Sequence, residues 1–499
     1  MKKIFITTIL SVLFISCSNE ELDQSPISSI GTNGFYSNAE EFESAINGVY
    51  STLRFYPDNQ FHLLEIRSDN MYAVTGSGVR PYEPVNNFDN SIATNTYVSS
   101  VWNTNYTGIL RANTVLEALN ADVVADNTTR NRIEGESKFL RAFFIVIFFD
   151  LVKTFGKVPL MDRVYSPSET LEIGRSPVGD IYDFIIADLQ SAISLLPTSY
   201  TANQLGKATS WSAKALLGKV YLTRSGPSYG IEGPGMDSNE YSLAINIFDD
   251  IINNGPFDYE NDYASIFAYD NENNSEIIFD IQYNAGASVG GDYPSITVPD
   301  GYLRVNDAGF TNGEDTKRVS EDLINSYSAA DTRDDFNIIY GYTDENNLFV
   351  GSVFFGKYLD LNFKGTDRFD WSLNYPVIRY TDLQMMRAEA ILMSSVGRQS
   401  DVDGVVNFIR NRAGLTTTVT GVNIDTLLEE KRLEFACESK RWDDLIRTGK
   451  VIDVINAWIP IEDVSNKMSQ MEANYIIYPV PSNEITVKEG LYTQNPGYN

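Results

Sequence analysis

Histidine and cysteine, the side chains used most often for metal binding and nucleophilic catalysis, are almost absent from this chain of 499 residues. The chain has one histidine, His62, and two cysteines. Zinc sites built from clusters of Cys and His are therefore excluded, and a histidine-based catalytic triad has a single candidate. His62 lies between Phe61 and Leu63 at the end of a helical region. We expect a structural histidine there, with a ligand contact as the alternative.

Carboxylates are the abundant reactive group, but no motif assembles them into a site. Two carboxylates about 5 to 9.5 Å apart would suffice for glycoside hydrolysis, yet nothing places two of them in one groove. The oxygen-rich run 270–276 (DNENNSE) could attract calcium, but it lacks the glycine and distal glutamate of an EF-hand loop. We interpret it as a solvated acidic turn. The glycines at 76, 78, 290 and 291 lack phosphate-loop spacing, so we predict no catalytic residue, metal or cofactor.

The charge balance excludes one class of partner. The chain has 67 Asp and Glu against 38 Lys and Arg, which gives a formal net charge of −29. A phosphate backbone would repel such a protein, so we predict no binding to nucleic acid. The hydrophobic fraction of 43% is that of a globular protein with a sizeable core.

The N-terminus resembles a bacterial lipoprotein signal. Two lysines precede an apolar run over residues 4–15, and a small residue and Cys17 follow. We predict a signal peptide at 1–16 and a lipidated Cys17 with a flexible tether at 17–36. Acyl chains would hold the protein to a membrane without a basic patch. The polar and acidic residues 18–21 resemble export signals to the cell exterior, whereas an ordinary signal peptide with an incidental cysteine is the alternative.

Hydrophobic periodicity indicates a mostly α fold with a few short strands. Two stretches, 68–99 and 284–313, lack helical period and are rich in Gly, Asn and Asp. Small residues such as Ala142 and Gly218 recur where helices would cross, which favours stacked antiparallel helical hairpins. We place Cys437 as a small core residue inside the helix predicted at 424–448. Helices are predicted at 37–56, 101–119, 129–155, 177–197, 209–224, 239–254, 380–395, 401–413 and 424–448, and strands at 276–283, 348–355 and 357–363.

An ordered set of segments resembles the RagB/SusD family of nutrient-binding outer-membrane lipoproteins. The most specific segment is 134–160 (EGESKFLRAFFIVIFFDLVKTFGKVPL). The other segments are 47–50 (NGVY), 102–113 (WNTNYTGILRAN), 175–177 (RSP), 207–222 (KATSWSAKALLGKVYL), 375–390 (YPVIRYTDLQMMRAEA), 407–414 (NFIRNRAG), 430–449 (EKRLEFACESKRWDDLIRTG), 477–485 (IYPVPSNEI) and 494–498 (QNPGY). Within the segment 430–449, Ser439 departs from the family pattern, in which glycine is frequent at this position.

The resemblance implies a single domain at 37–499 with a SusD-like fold, in which a tetratricopeptide-like helical hairpin scaffold carries a loop-rich irregular half. It also implies a function without catalysis. Members of the family bind oligosaccharides or other nutrients and pass them to a TonB-dependent transporter of the SusC type. We therefore expect a glycan-binding lipoprotein, lipid-anchored in the outer membrane and facing the cell exterior.

The candidate ligand-binding residues lie between the family motifs, in the loops. Sugar binding needs flat aromatic faces, together with planar polar groups that satisfy hydroxyls. Trp371 precedes the 375–390 motif in a predicted loop, and it is the tryptophan best placed to stack on a sugar. The predicted ligand-binding residues are Asp69, Asn70, Tyr72, Arg80, Tyr82, Asn87, Tyr283, Asp292, Tyr293 and Trp371.

Three alternatives stay open at this point. The ligand could be a nutrient other than a sugar, such as a peptide. The protein could be a glycoside hydrolase, which the release of product from a glycan would reveal. It could also be a helical-repeat adaptor without a small ligand. The sequence does not identify the glycan, its linkage or its charge.

Overall fold

The computed structural model describes residues 34–73, 80–146, 151–286, 289–306, 317–365 and 367–498. The predicted signal peptide, Cys17 and most of the tether lie outside these ranges. No helix within them is long and apolar enough to cross a membrane. The helices are α1 (Ala39–Tyr50), α2 (Tyr56–Gln60), α3 (Glu83–Asn86), α4 (Thr96–Ala118), α5 (Asn127–Val146), α6 (Leu151–Phe155), α7 (Pro167–Thr170), α8 (Val178–Leu195), α9 (Ser210–Ser225), α10 (Tyr241–Asn254), α11 (Asp300–Val305), α12 (Glu321–Ser326), α13 (Thr332–Asn337), α14 (Tyr380–Ser394), α15 (Gln399–Arg412), α16 (Ile424–Glu434), α17 (Arg441–Arg447), α18 (Val451–Glu462) and α19 (Ser482–Val487).

Antiparallel helical hairpins form the scaffold, as the sequence predicted. The side chain of Arg141 on α5 contacts Asp188 on α8, while Lys138, one turn earlier, contacts Ser191, one turn later. Contacts that run in opposite directions along two helices define an antiparallel pair. α9 and α10 pack closely where Gly218 meets Phe248, since a Cβ at this glycine would lie 2.4 Å from the ring. The mostly helical fold is thus confirmed.

The strands are short and pair in antiparallel twos. The strand predicted at 357–363 is wrong, because this segment contains a 3₁₀ turn at Leu361–Phe363. The Asp360 carboxylate accepts the Asn362 N–H there and stabilises the turn. The pairs are β1 (Met71–Tyr72) with β3 (Arg318–Val319), β2 (Ile277–Ile281) with β8 (Tyr375–Arg379), β4 (Ile338–Ile339) with β7 (Phe354–Phe355), and β5 (Tyr342–Thr343) with β6 (Phe349–Val350).

The helix predicted at 424–448 is wrong in its middle, where six residues separate α16 from α17. Cys437 and Ser439 have left-handed backbones, with φ of 67° and 56°. Their N–H groups donate to the carboxylate of Glu65, at 3.1 and 2.7 Å. Glu65 is fully buried, so it satisfies inside the protein the amides that leave the helix. Cys437 is buried as expected, but it is not helical.

The left-handed backbone at position 439 gives a testable difference between two variants. We expect Ser439→Gly to be more stable than Ser439→Ala by about 1 kcal/mol, because only glycine adopts this conformation without steric cost. Both variants lose the hydroxyl, so their difference isolates the backbone. Urea unfolding measures the free energies. At Ser44, inside α1, the order should reverse, with alanine more stable than glycine. The same order at both positions would contradict the prediction.

Candidate functional site

Two predicted ligand-binding residues belong to the buried scaffold. The Asp69 carboxylate accepts two hydrogen bonds from Arg441, at 2.9 and 2.8 Å, and Asn70 accepts one from Arg432 at 3.0 Å. Burial by itself would raise the pKa of the Asp69 carboxyl, but the positive charges of Arg432 and Arg441 outweigh burial and lower this pKa to about 2. This corrects the expectation of a loop exposed to ligand, since both side chains are occupied within the protein.

Trp371 and Tyr293 are also inside the protein rather than exposed on a loop. Trp371 is fully buried against Val298 and Phe354, and its Nε1–H donates to the Arg368 carbonyl at 2.9 Å. The Tyr293 hydroxyl donates to the Leu373 carbonyl at 2.9 Å. The correction concerns exposure: segments distant in sequence cover both rings. Their contact with a ligand stays a prediction.

Tyr72 and Asn87 contact the segment that follows α18, and Arg80 lies next to residues that the structure does not describe. The Tyr72 hydroxyl donates to Asp463 at 3.0 Å, and the Asn87 carbonyl accepts the N–H of Ser469 at 2.9 Å. Arg80 directly follows residues 74–79, which lie outside the described ranges. Tyr72 pairs with Arg318 in the β1–β3 ladder, next to Lys317 of the group described below. The role of the three residues in binding stays a prediction.

The structure brings Tyr82 and Asp292 together around a lysine that sequence reasoning missed. The Lys317 ammonium lies 5.7 Å from the ring centroids of both Phe61 and Tyr82, and it interacts electrostatically with Asp58 and Asp292. Helix termini and loops from separate parts of the chain supply these side chains. We define the Lys317 cluster as Asp58, His62, Tyr82, Tyr97, Asp292 and Lys317.

An aromatic stack forms one wall of the Lys317 cluster. The rings of His62 and Tyr97 are nearly parallel, with centroids 3.9 Å apart and an interplanar angle of 12°. His62 is held in place through Nδ1, which lies 2.9 Å from the Asp58 carbonyl oxygen and 3.2 Å from its carboxylate. It belongs to a π-helical turn at Phe61–Glu65, an element found frequently at functional sites. The buried histidine therefore supports an aromatic face that Tyr97 presents.

Burial and mutual interaction separate the pKa values of the charged members. Burial, together with the negative charge of Asp58, raises the pKa of Asp292 to about 6. Burial lowers the pKa of Lys317 to about 8, against the opposing effect of both carboxylates. For Asp58, burial is outweighed by His62 and Lys317, so its pKa is lowered. Near neutral pH the cluster thus combines an ammonium donor with carboxylate acceptors beside an aromatic face.

The pKa of Asp292 predicts how stability depends on pH. Because the folded-state pKa of about 6 exceeds the ordinary 3.8, the folded protein holds a proton that the unfolded chain has lost between these values. The free energy of unfolding therefore falls as pH rises through this interval. We expect Asp292→Asn to gain stability relative to wild type from pH 4 to 6, with no further gain above. Urea unfolding at pH 4, 5, 6 and 7 measures it, and a constant difference would contradict it.

Tyr283, the last predicted residue, lies beside the cluster. Its ring centroid is 5.8 Å from that of Tyr293, and its hydroxyl donates to the Arg54 carbonyl at 2.7 Å. Arg54 in turn donates to the Gly290 carbonyl at 3.2 Å, two residues before Asp292. Tyr283 thus braces the segment that carries Asp292. Sequence reasoning missed Asp58, Tyr97 and Lys317, although the i, i+4 spacing of Asp58 and His62 was a usable signal.

Comparison with known proteins matches both ends of the described chain to one family. A family profile described as "Starch-binding associating with outer membrane" matches residues 22–222, and the profile described as "SusD family" matches residues 340–498. A "SusD-like protein P2" of Formosa agariphila is 29% identical over the full length of both chains. A "SusD-like protein" of Bacteroides ovatus is 25% identical, covering 89% of this chain and 82% of the relative.

Solved structures show the same fold. A "Laminarin binding SusD-like protein" is 26% identical and superposes with a TM-score of 0.76, covering 93% of this chain and 100% of that one. "Surface glycan-binding protein A" of Bacteroides thetaiotaomicron, in complex with laminarihexaose, is 24% identical with a TM-score of 0.76, covering 92% and 99%. The SusD-like fold predicted from the sequence is thereby confirmed.

Proposed function

Because the chain belongs to the RagB/SusD family, which is associated with the outer membrane, we propose that it is a cell-surface protein that binds glycan at the Lys317 cluster. One observation carries the location of the site: the His62–Tyr97 stack lies beside carboxylates and an ammonium group. A pyranose ring presents a C–H face that packs on an aromatic ring, while its hydroxyls need donors and acceptors at the edge. The cluster supplies both kinds of group.

The relatives favour a neutral glycan as ligand. One structural neighbour, 26% identical, is a laminarin-binding protein by its name, and the family profile over residues 22–222 names starch. Both are neutral glucose polymers. The formal net charge of −29 would slow the capture of sulfated or uronate-rich chains by long-range repulsion.

We propose further that the protein holds the glycan without cleaving it and delivers it to a TonB-dependent transporter of the SusC type. The N-terminal sequence supports attachment to the outer membrane through lipidated Cys17, a tether to residue 36 and one domain from 37 to 499. In cell fractionation, Cys17→Ser should move the protein from the membrane to the soluble fraction. Co-purification with a transporter from detergent-solubilised outer membranes tests the partner.

Calorimetric titration tests the ligand class. We expect heat of binding from laminarihexaose or maltohexaose, weaker binding of a sulfated glycan of equal length, and none from a mixture of short peptides. Binding of peptides but of no glycan would overturn the sugar assignment.

The glycoside hydrolase alternative would use Asp58, whose pKa is lowered, and Asp292, whose pKa is raised, because a hydrolase uses one ionised and one protonated carboxyl. Release of shorter sugars, abolished by Asp292→Asn, would favour it.

A further inference from the structure

A cavity of about 700 Å³, with both polar and apolar side chains in its lining, lies at Arg54. It opens between α1 with the turn that follows it, the turn at residues 203–207, and the end of β2. We call it the Asp280 pocket. Its volume is within the range typical of small-ligand sites. The polar lining residues are Glu43, Asn47, Tyr50, Ser51, Arg54, Asn203, Gln204, Lys207, Asp280 and Gln282.

The lining of the Asp280 pocket offers donors and acceptors in balance rather than one sign of charge. Lys207 and Glu43 form an ion pair at 3.0 Å, and amides such as Asn47 and Gln204 both donate and accept. A single strong charge would select an ion of the opposite sign. This lining instead suits an uncharged ligand with several hydroxyl groups.

The buried end of the Asp280 pocket is a built arrangement. Asp280 is only 4% exposed and accepts a hydrogen bond from Gln282 Nε2 at 2.6 Å. The other end of this amide is fixed as well, because Asn374 donates to Gln282 Oε1 at 3.0 Å. Gly206 packs against Gln282, where a Cβ would lie 2.1 Å from the side chain. The positions of Asp280 and Gln282 are therefore held before any ligand arrives.

Among the residues that the structure describes, no Lys or Arg lies within ion-pair distance of the Asp280 carboxyl group. Burial raises its pKa to about 7, and the charge of Glu272 adds to this effect. Near neutral pH the group is therefore protonated in part of the molecules, and then it donates as well as accepts. A sugar hydroxyl needs both kinds of partner.

Arg54 connects the Asp280 pocket to the Lys317 cluster. It lines the pocket, and its guanidinium donates to the Gly290 carbonyl at 3.2 Å. Gly290 precedes Asp292 by two residues, and Tyr283 braces the same segment through the Arg54 carbonyl. Arg54 thus links the pocket to the segment that carries Asp292.

We propose that the Asp280 pocket is a second binding site for the glycan, holding one or two sugar units by hydrogen bonds rather than by aromatic stacking. This inference rests on the proposed function, because the ligand class is the same. The two sites differ in chemistry: the Lys317 cluster offers a ring face, whereas the pocket offers fixed carboxyl and amide groups.

Closing the pocket with a bulky side chain tests the proposal. Asn47 is exposed on α1 at the pocket rim, so Asn47→Trp fills the opening from a helix that can carry it. Ser44→Trp, exposed on the same helix outside the pocket, is the matched control. We expect Asn47→Trp either to lower the affinity for laminarihexaose at least tenfold or to remove one of two binding equivalents in calorimetry. Ser44→Trp should do neither.

The outcomes separate this inference from the proposed function. If wild type binds laminarihexaose or maltohexaose and Asn47→Trp binds like Ser44→Trp, the second site is overturned and the function stands. If wild type binds no glycan, both fail. Thermal unfolding of Asn47→Trp shows whether it is folded. Asp280→Asn provides a second measurement, because the amide cannot lose a proton. The decline in affinity that we expect for wild type between pH 6 and 8 should be smaller in this variant, with the remainder due to Asp292 and Lys317 of the cluster. A pH profile identical to that of wild type would overturn the pocket.

Discussion

Replacing Arg379 with methionine is expected to lower the free energy of unfolding by about 3–5 kcal/mol, the cost of leaving buried charges unpaired. The guanidinium of Arg379 is fully buried at the end of β8. It donates to Glu438 at 3.0 and 2.8 Å, to Glu276 at 2.9 Å and to Glu434 at 3.3 Å. Methionine fills most of the volume of the arginine side chain but carries no positive charge. Urea or thermal unfolding measures the loss.

An exposed ion pair provides the control for Arg379. The Arg398 side chain is 79% exposed and pairs with Asp401 at 2.8 Å. Arg398→Met should change stability by less than about 1 kcal/mol, because water and salt screen such pairs. Equal effects at the two positions would mean that the buried network contributes no more than a surface pair. That result would contradict the central role of Arg379.

Removing the aromatic ring of Tyr97 is expected to lower glycan affinity at least tenfold, which is about 1.4 kcal/mol. Tyr97 lies in the first turn of α4, and His62 covers one of its faces. A sugar ring at the Lys317 cluster would stack on the opposite face, and alanine offers no surface for it. Calorimetry with laminarihexaose, or with whichever glycan binds wild type most tightly, measures the change.

Two variants keep the Tyr97 test specific. Tyr97→Phe retains the ring and should bind within about threefold of wild type, because stacking needs no hydroxyl. Tyr340→Ala removes a tyrosine that is 41% exposed and lies outside the cluster, and it should leave affinity unchanged. If Tyr97→Ala binds normally while it remains folded, the Lys317 cluster is not the glycan site.

Local periodicity was enough to predict the helical scaffold. α8, α9 and α14 begin and end within two residues of the predictions. α8 buries one regular stripe, whereas α9 and α14 are buried on nearly all sides. The break between α16 and α17 could not be predicted in this way. Its cause is Glu65, some 370 positions earlier in the chain, and neither glycine nor proline marks the break in the sequence.

The site was harder to predict for the same reason. Composition drew attention to Tyr82 and Asp292, but their neighbours Asp58, Tyr97 and Lys317 come from separate segments that only the folded chain brings together. Trp371 shows the opposite failure. Its surroundings in sequence are those of a loop, yet Val298 and Phe354, from segments distant in sequence, bury its ring. Polarity along the chain does not report which side of a loop faces water.

The left-handed turn that holds Cys437 has a practical consequence for probe chemistry. Cys437 is the sole cysteine of the described residues, it is buried, and burial raises the pKa of its thiol well above the usual value. Alkylating reagents attack the thiolate, so this sulfur should stay unmodified in the native protein at neutral pH. A cysteine introduced at the rim of either site would then be the single reactive position among the described residues. Dyes or spin labels could be attached there without first replacing Cys437.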